Sequence, residues 1–427
     1  MTPPRAPGPR RHQLGNGVTL VCDPAAGFET LAVSVVAGRG ARWEDPARGG
    51  WSHLLEHMVF KGAGSRSARE IVEAIEADGG QLNAATGHER TSFQVRALSG
   101  GLPLALDVIS DLIFRPTLDP EDLAREKLVV GQEIAEAADT PDDQVFEQAQ
   151  AAAFRDQALG RPILGSVAGL GPADSGALEV WRAALYAPDR LVVSVAGAVD
   201  EDQFLKLADS VFGREPPASP EPAPEAAAFT GGHAPERRRL EQAHLVFLLP
   251  APGVADPAYW AARVFAEALG GGMSSRLFQE ARERLGLAYA IDAYAEAYAD
   301  AGVLGVYAGC SPADAGQLGE VVAREVRALL QDVTPSELAR SKAQLKASLF
   351  MSRESLAARA EQAAAQILSL GGIQSAAAMA AAIDAVTVAD FAALTPLWLG
   401  PGRSTVSVLG PKPAMDAPAR FEAALFA

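Results

Sequence analysis

Short and long apolar runs alternate along the chain. Short runs of the kind that form buried strands occur at residues 31–37 and 244–249, and each is followed by an Asp-Pro-Ala turn, at residues 45–47 and 256–258. After each turn the apolar residues recur with a helical period. The pattern therefore predicts strands and amphipathic helices mixed within each half of the chain, which is the α+β class.

The two halves repeat one another. At an offset of 211 residues, the two Asp-Pro-Ala turns align, and a glutamate stands eleven residues after each aspartate, at Glu56 and Glu267. After a slip of four residues, the segments 119–127 and 334–342 match at five of nine positions. Agreement in register over this length indicates an internal duplication.

A proline-rich stretch separates the halves. It stands among Ala, Glu and Gly without a helical or strand period, and its prolines are at positions 216, 217, 220, 222 and 224. Such a composition is typical of an exposed linker. We therefore predict two duplicated α/β-sandwich domains, at residues 12–213 and 239–424, joined by a linker at 214–238. Each has a mixed, largely antiparallel sheet covered by helices.

The helix after the first turn carries a candidate metal-binding pair. Residues 50–62 predict a helix that ends at Gly62. His53 and His57 are one turn apart, so both imidazoles project from one face and can share a metal ion. Glu56 lies beside His57, where it can accept a proton from water without binding the metal. The alternative is a hydrogen-bonded core histidine pair, which this short pattern alone leaves open.

A second helix, capped by Asp119, offers a third ligand. Its Glu126 and Glu133 are two turns apart on one face, beside the apolar Val129 and Val130. Carboxylates that face inward are costly unless a cation pairs with them, and a metal ion is such a cation. The alternative is that both glutamates are solvated on the helix surface.

The second half serves as an internal control on this site. The positions that match the two histidines and Glu133 hold Val264, Ala268 and Ser348. Residues that merely satisfied a core would be expected to survive in part in the sister copy. Their loss indicates a site that only the first copy needs.

These residues resemble the pitrilysin-like (M16) zinc metallopeptidases, in particular the branch of mitochondrial processing peptidase and its bacterial relatives. The resemblance covers nearly the whole chain, and its segments are residues 14–17, 38–40, 53–62, 79–80, 83–84, 159–165, 186–188, 270–277 and 286–289. It implies one zinc ion per chain, bound by His53, His57 and Glu133. Glu56 would then be the catalytic base, and Glu126 a carboxylate beside the ligands that also serves catalysis.

The resemblance also implies substrate contacts. Asn83 and Ala84 lie on a predicted edge strand, which in this family pairs with the substrate backbone. The alternative is an asparagine in a turn. Arg282 and Tyr289 match a pair that contacts the substrate near the scissile carbonyl, where they supply charge and a phenolic donor. Apart from the resemblance, both are ordinary surface residues.

The sequence thus predicts a zinc-dependent endopeptidase for extended or unfolded peptides, enclosed in a chamber. Relatives of this length form dimers, and this chain carries both parts, so a homodimer is sufficient; a heterodimer with a second M16-like subunit is the other arrangement. The competing functions are a non-catalytic partner subunit and a metal hydrolase for a non-peptide amide.

Charge and composition exclude other classes. With 37 basic and 53 acidic residues, the formal net charge is −16, which argues against a nucleic-acid partner. No uninterrupted apolar stretch of 18 residues predicts a membrane span, and the proline- and arginine-rich start does not resemble a secretory signal. We therefore expect a cytoplasmic protein. Cys22 and Cys310 lack metal-binding or disulfide spacing and are expected to be buried.

Overall fold

The computed structural model describes residues 8–216, 223–400 and 402–427. Its strands are β1 (Arg10–Gln13), β2 (Thr19–Pro24), β3 (Thr30–Ala37), β4 (Gly62–Ala63), β5 (Arg66–Ser67), β6 (Gln81–Thr86), β7 (Thr91–Leu98), β8 (Leu191–Gly197), β9 (Gly232–Arg237), β10 (Ala243–Ala251), β11 (Ala288–Ala297), β12 (Gly302–Cys310) and β13 (Thr405–Gly410).

Its helices are α1 (Trp51–Val59), α2 (Ala68–Ala77), α3 (Leu102–Phe114), α4 (Pro120–Asp139), α5 (Pro141–Ala153), α6 (Val167–Leu170), α7 (Ser175–Leu185), α8 (Glu201–Phe212), α9 (Tyr259–Gly270), α10 (Ala315–Asp332), α11 (Pro335–Ser352), α12 (Leu356–Leu370), α13 (Ala376–Ala385), α14 (Val388–Ala393), α15 (Thr395–Trp398) and α16 (Ala417–Leu425). A π-helical turn spans Phe278–Arg284.

Two units, each built on one large sheet, make up the chain. The first sheet has the strand order β1-β2-β8-β3-β7-β6, and the second has the order β11-β12-β10-β13-β9. Only the β2–β8 pair in the first sheet and the β9–β13 pair in the second are parallel among the described residues. The predicted α+β class, with mixed and largely antiparallel sheets, is confirmed.

The two sheets share one topology. Read from β9, the second sheet runs β9-β13-β10-β12-β11, which repeats β2-β8-β3-β7-β6 of the first, with the parallel pair in the same place. Strand β1 is the one addition among the described residues. Because strand order is independent of the sequence offset, it supports the duplication on separate grounds.

The units exchange one helical segment each. The first takes the described residues of Met1–Ile134, Pro162–Pro224 and Met351–Ser375, whereas the second includes Ala135–Arg161. The predicted domains, 12–213 and 239–424, run continuously along the chain, whereas each compact unit also takes one segment from the other half. Helix α5 packs on β9, β10 and β13 of the second sheet, and α12 packs on β2, β3 and β8 of the first.

The physical reason lies in the sheets. The central strands β3 and β8 are buried on both faces, so each face needs an apolar cover. Helix α12 supplies one cover through Ala363, Ala364 and Ile367, which pack with Val21 and Val192. The sequence of a helix shows that its apolar face must pack against a sheet, but it does not show which of two similar sheets that will be.

Part of the predicted linker forms a strand. Strand β9, at Gly232–Arg237, pairs in parallel with β13 and completes the second sheet. Residues 217–222 of the predicted linker lie outside the described residues. The alternation of exposed and half-buried residues along β9 is that of an edge strand, although Pro235 made the sequence look irregular.

Both cysteines are buried and unpaired, as predicted, and burial raises the pKa of each thiol to about 12. Within the described part of the chain, no single helix is long and apolar enough to cross a membrane. The bent pair Ala376–Ala385 and Val388–Trp398 meets the length and composition criteria only when its two members are taken together.

Candidate metal centre

Helix α1 is held at its start by a buried carboxylate. The two oxygens of Glu44 accept hydrogen bonds from the backbone N–H groups of Gly50, at 2.8 Å, and Ser52, at 2.6 Å. Both are among the donors that a helix start leaves without intrahelical partners. Gly50 has a φ of 94°, and a Cβ there would lie 2.5 Å from the carbonyl oxygen of Leu164. The turn into α1 therefore requires glycine.

Helix α1 buries one face in the core and leaves the other face partly exposed. Its apolar residues pack in the core of the first unit, whereas His53, Glu56 and His57 are only partly buried. The helix ends at Val59 rather than at the predicted Gly62, which begins β4 with a φ of 150°. The correction leaves the spacing of the two histidines unchanged, because both lie within the observed helix.

The two imidazoles lie together. Their ring centroids are 4.7 Å apart, with an angle of 64° between the planes. Burial lowers the pKa of His53 to about 4, and the neighbouring His57 acts in the same direction. The neutral imidazole is therefore the dominant form of His53 at neutral pH. Metal ligation needs this form.

Glu133 on α4 completes the group. Its Oε2 lies 3.5 Å from Nε2 of His57 and 3.9 Å from Nε2 of His53, and one ligand atom from each residue lies within 4.8 Å of the others. Tetrahedral zinc with bonds of about 2.0–2.2 Å needs ligand atoms roughly 3.3 Å apart. Two imidazoles and a carboxylate are also the donor types that zinc prefers, so these residues fit a zinc ion.

Glu126 orients His57. It lies seven residues before Glu133 on α4 and is more buried. Its Oε2 is 3.1 Å from Nδ1 of His57, and its Oε1 is 2.8 Å from Nζ of Lys61. An ionised carboxylate can only accept, so Nδ1 of His57 donates. In the neutral ring, Nε2 then carries no hydrogen and faces Glu133, which is the arrangement that metal-binding histidines commonly adopt.

Glu56 lies beside this group with one oxygen uncommitted. Its Oε2 is buried and has no hydrogen-bond partner among the described residues. Burial raises the pKa of the Glu56 carboxyl, while hydrogen bonding to Thr86 and the charge of His57 oppose the increase. A raised pKa and an open acceptor oxygen are the properties of a general base.

The predicted edge strand borders the same helix. Strand β6 is the last strand of the first sheet, and α1 packs against it. Ala84 turns toward the core, whereas Asn83 is exposed. Beyond β6 the sheet has no further strand in the described part of the chain, so its outer backbone groups can pair with an extended peptide.

Arg282 and Tyr289 lie in the second unit, whereas the candidate metal-binding residues lie in the first. Arg282 lies within the π-helical turn, and its guanidinium carbon is 4.6 Å from the ring centroid of Phe278. Tyr289 is 59% exposed and stands at an irregularity of β11, where the Gln242 amide hydrogen-bonds to its hydroxyl. Both are accessible to a ligand of the second unit, and their predicted roles remain predictions.

Sequence reasoning did not single out Glu44 or Lys61. Glu44 caps α1 from six residues before its first amide partner, outside the usual capping spacing. Lys61 follows His57 by four residues, a helical spacing, but the helix has ended before it. A lysine at that spacing from His57, together with the inward-facing carboxylate predicted for Glu126, was the signal in the sequence that could have identified Lys61.

Comparison with known proteins gives an independent line of support. Residues 20–167 match the family model described as "Insulinase (Peptidase family M16)", and residues 174–345 match "Peptidase M16 inactive domain". A Streptomyces coelicolor protein, named as an uncharacterized zinc protease, is 35% identical over 412 residues, 94% of this chain and 89% of that protein. A Bacillus subtilis protein with a similar name is 37% identical over 347 residues, 81% of this chain and 85% of its own.

A solved structure agrees with these matches. A protease from Helicobacter pylori superposes with a TM-score of 0.88 at 20% sequence identity, covering 95% of this chain and 100% of that one. At this identity the likeness shows the fold. The α+β fold with two related units is therefore shared with that protease.

Proposed function

Because the chain belongs to peptidase family M16, we propose that it is a zinc-dependent endopeptidase that hydrolyses peptide bonds of extended or unfolded peptides. The observation that carries the proposal is the convergence of His53, His57 and Glu133 in the first unit, with Glu56 on the same helix. His-x-x-Glu-His with a distant glutamate suits metal-assisted hydrolysis.

Each side chain has a role in this proposal. Zinc bound at this position would act as a Lewis acid on the scissile carbonyl and make water a better nucleophile. Glu56 accepts the proton of the attacking water through its open oxygen and passes it to the leaving amine. Glu126 keeps the His57 ring in its ligating orientation.

The substrate class follows from the bordering strand. An extended peptide added to β6 would hydrogen-bond through its backbone beside Asn83 and Ala84, next to α1. Such pairing positions the chain with little dependence on side-chain identity. A folded segment cannot offer free backbone groups at this edge, so the arrangement favours unfolded peptides over compact domains and non-peptide amides.

One comparison tests this proposal directly. A small disulfide-dependent protein is supplied either folded or permanently unfolded by reduction and alkylation, and cut sites are mapped by mass spectrometry. We expect about one zinc per chain in the purified peptidase, internal cuts in the unfolded form and none in the folded form. Equal cleavage of both forms contradicts the substrate class, and cleavage only at chain ends contradicts endopeptidase activity.

We further propose that two copies of the chain form a homodimer that encloses the substrate in a chamber. The second unit carries Val264, Ala268 and Ser348 where the first has its metal-binding residues, so it needs another use. Arg282 and Tyr289 are accessible there, and we assign them to the substrate at the zinc site of the other copy. A heterodimer with a second M16-like chain would use the same residues.

Complementation between inactive variants tests this assembly. Glu56→Gln and the double variant Arg282→Ala/Tyr289→Phe are each expected to be inactive. After random subunit exchange about half of the dimers are mixed, and each mixed dimer has one site with both parts intact. Activity should therefore return to about a quarter of the wild-type value. Verified mixed dimers without recovery would show that each site is completed within a single chain.

The competing function, a non-catalytic partner subunit, draws on the description of residues 174–345 as an inactive domain. That match covers the half without metal-binding residues, whereas the candidate ligands His53, His57 and Glu133 lie outside it. Zinc content together with internal cleavage by the isolated chain separates the two functions.

A further inference from the structure

Lys61 connects to the metal centre through one carboxylate. It follows the end of α1, and its Nζ lies 2.8 Å from Oε1 of Glu126. The other oxygen of Glu126 accepts the 3.1 Å hydrogen bond from Nδ1 of His57. Among the described residues, each carboxylate oxygen thus has one partner, Lys61 on one side and His57 on the other.

The backbone holds Lys61 in place for this contact. Its N–H donates to the carbonyl of Met58 at 3.1 Å, and the next residue is Gly62 in an unusual conformation with a φ of 150°. A Cβ at Gly62 would lie 2.8 Å from Oγ1 of Thr117. These constraints fix the backbone after α1, and they therefore fix the position of the Lys61 Cα.

Glu126 is much more buried than its partner Lys61. The Glu126 side chain is 8% exposed, and the Lys61 side chain is 35% exposed. A buried carboxylate with a single neutral partner is poorly compensated. Its terminal torsion also has a broad range, so a partner on each oxygen is what fixes the direction of the carboxylate plane.

We propose that Lys61 is a positioning residue of the metal centre: by holding Glu126, it fixes the orientation of the His57 ring and thereby the direction of Nε2. The inference rests on the proposed zinc site. It assigns Lys61 no contact with substrate or metal. An ion pair that only stabilised the fold would leave zinc affinity unchanged, and exposed pairs typically contribute little even to stability.

Zinc affinity of three variants tests the proposal. The zinc dissociation constant is measured by competition with a chelator for wild type, Lys61→Met, Lys61→Arg and the control Lys127→Met. Lys127 is a suitable control because it lies next to Glu126 but bonds the backbone carbonyl of Gly171. We expect Lys61→Met to weaken zinc binding by about 10- to 100-fold, the range for groups that orient a ligand. Lys61→Arg should remain near wild type, and Lys127→Met should match it.

Two further readouts separate positioning from general stabilisation. In the metal-free protein, nitrogen-15 NMR should find a larger share of the neutral His57 ring protonated on Nδ1 in wild type than in Lys61→Met. In a Glu126→Gln background, Lys61→Met should change zinc affinity by less than about twofold, because the two residues act as a unit. Thermal unfolding of the metal-free variants monitors folding, and Lys61→Gln replaces Lys61→Met if the latter does not fold.

The outcomes distinguish this inference from the proposed function. If wild type binds zinc tightly and Lys61→Met binds equally well, the inference is overturned while the peptidase proposal stands. If wild type binds zinc without peptidase activity and Lys61→Met binds more weakly, the inference stands and the proposed function fails. A wild-type chain without zinc affinity, or failure of both neutral variants to fold, overturns the inference.

Discussion

Replacing Glu56 by glutamine is expected to lower the rate of peptide hydrolysis by roughly two or more orders of magnitude while zinc remains bound. The change removes a proton acceptor and preserves the size of the side chain. Zinc content should not fall, because Glu56 lies outside the group formed by His53, His57 and Glu133. Steady-state kinetics on an unfolded peptide, with metal analysis of the same sample, measures both quantities.

The duplicated half provides the matched control. Glu267 occupies the corresponding position of α9, and burial raises its pKa as it does that of Glu56. Its neighbours in place of the histidines are Val264 and Ala268, so Glu267→Gln removes a similar, partly buried carboxylate far from any metal-binding residue in sequence. We expect this variant to retain wild-type activity. Near wild-type turnover in zinc-loaded Glu56→Gln would exclude the assigned role.

The pH dependence of activity provides a further test of the role of Glu56. Burial holds the pKa of Glu56 above 4.5, so its basic form is lost as the pH falls through that raised value. Wild-type kcat/KM should therefore decline as the pH falls through the pKa of Glu56, and the residual activity of Glu56→Gln should lack that limb.

Loss of any one metal ligand is expected to remove both zinc and activity. His53→Ala, His57→Ala and Glu133→Gln each take one donor from a group of three, and zinc needs all of them to keep a single open position. The zinc content should drop from about one per chain to a small fraction after dialysis. Chelation of the wild-type protein should have the same effect and should be reversed by added zinc.

A neighbouring glutamate controls for the charge change in Glu133→Gln. Glu136 is exposed on the same helix, three residues further along, and is outside the metal group. Glu136→Gln should keep both zinc and activity. Peptidase activity that persists after verified metal removal would refute the zinc mechanism for this chain.

Much of the site is local, and the sequence alone could therefore predict it. The one-turn spacing of His53 and His57 places both rings on one face wherever α1 lies. The cap at Asp119, whose carboxylate accepts from the amides of Glu121 and Asp122, starts α4 as predicted. Periodicity likewise determined the fold class, because it is a property of neighbouring residues, and the duplication is visible as a repeat along the chain.

Only the tertiary structure decided which helices meet which partners. It brought Glu133 to within 3.5 Å of His57, and it placed β6 at the edge of its sheet. It also gave Glu126 its contact with Lys61 and assigned α5 and α12 to the sheets that they cover. Sequence pattern shows that a carboxylate, an apolar face or an edge needs a partner. The identity of that partner depends on packing between segments distant along the chain, and two similar sheets offer similar surfaces to the same helix.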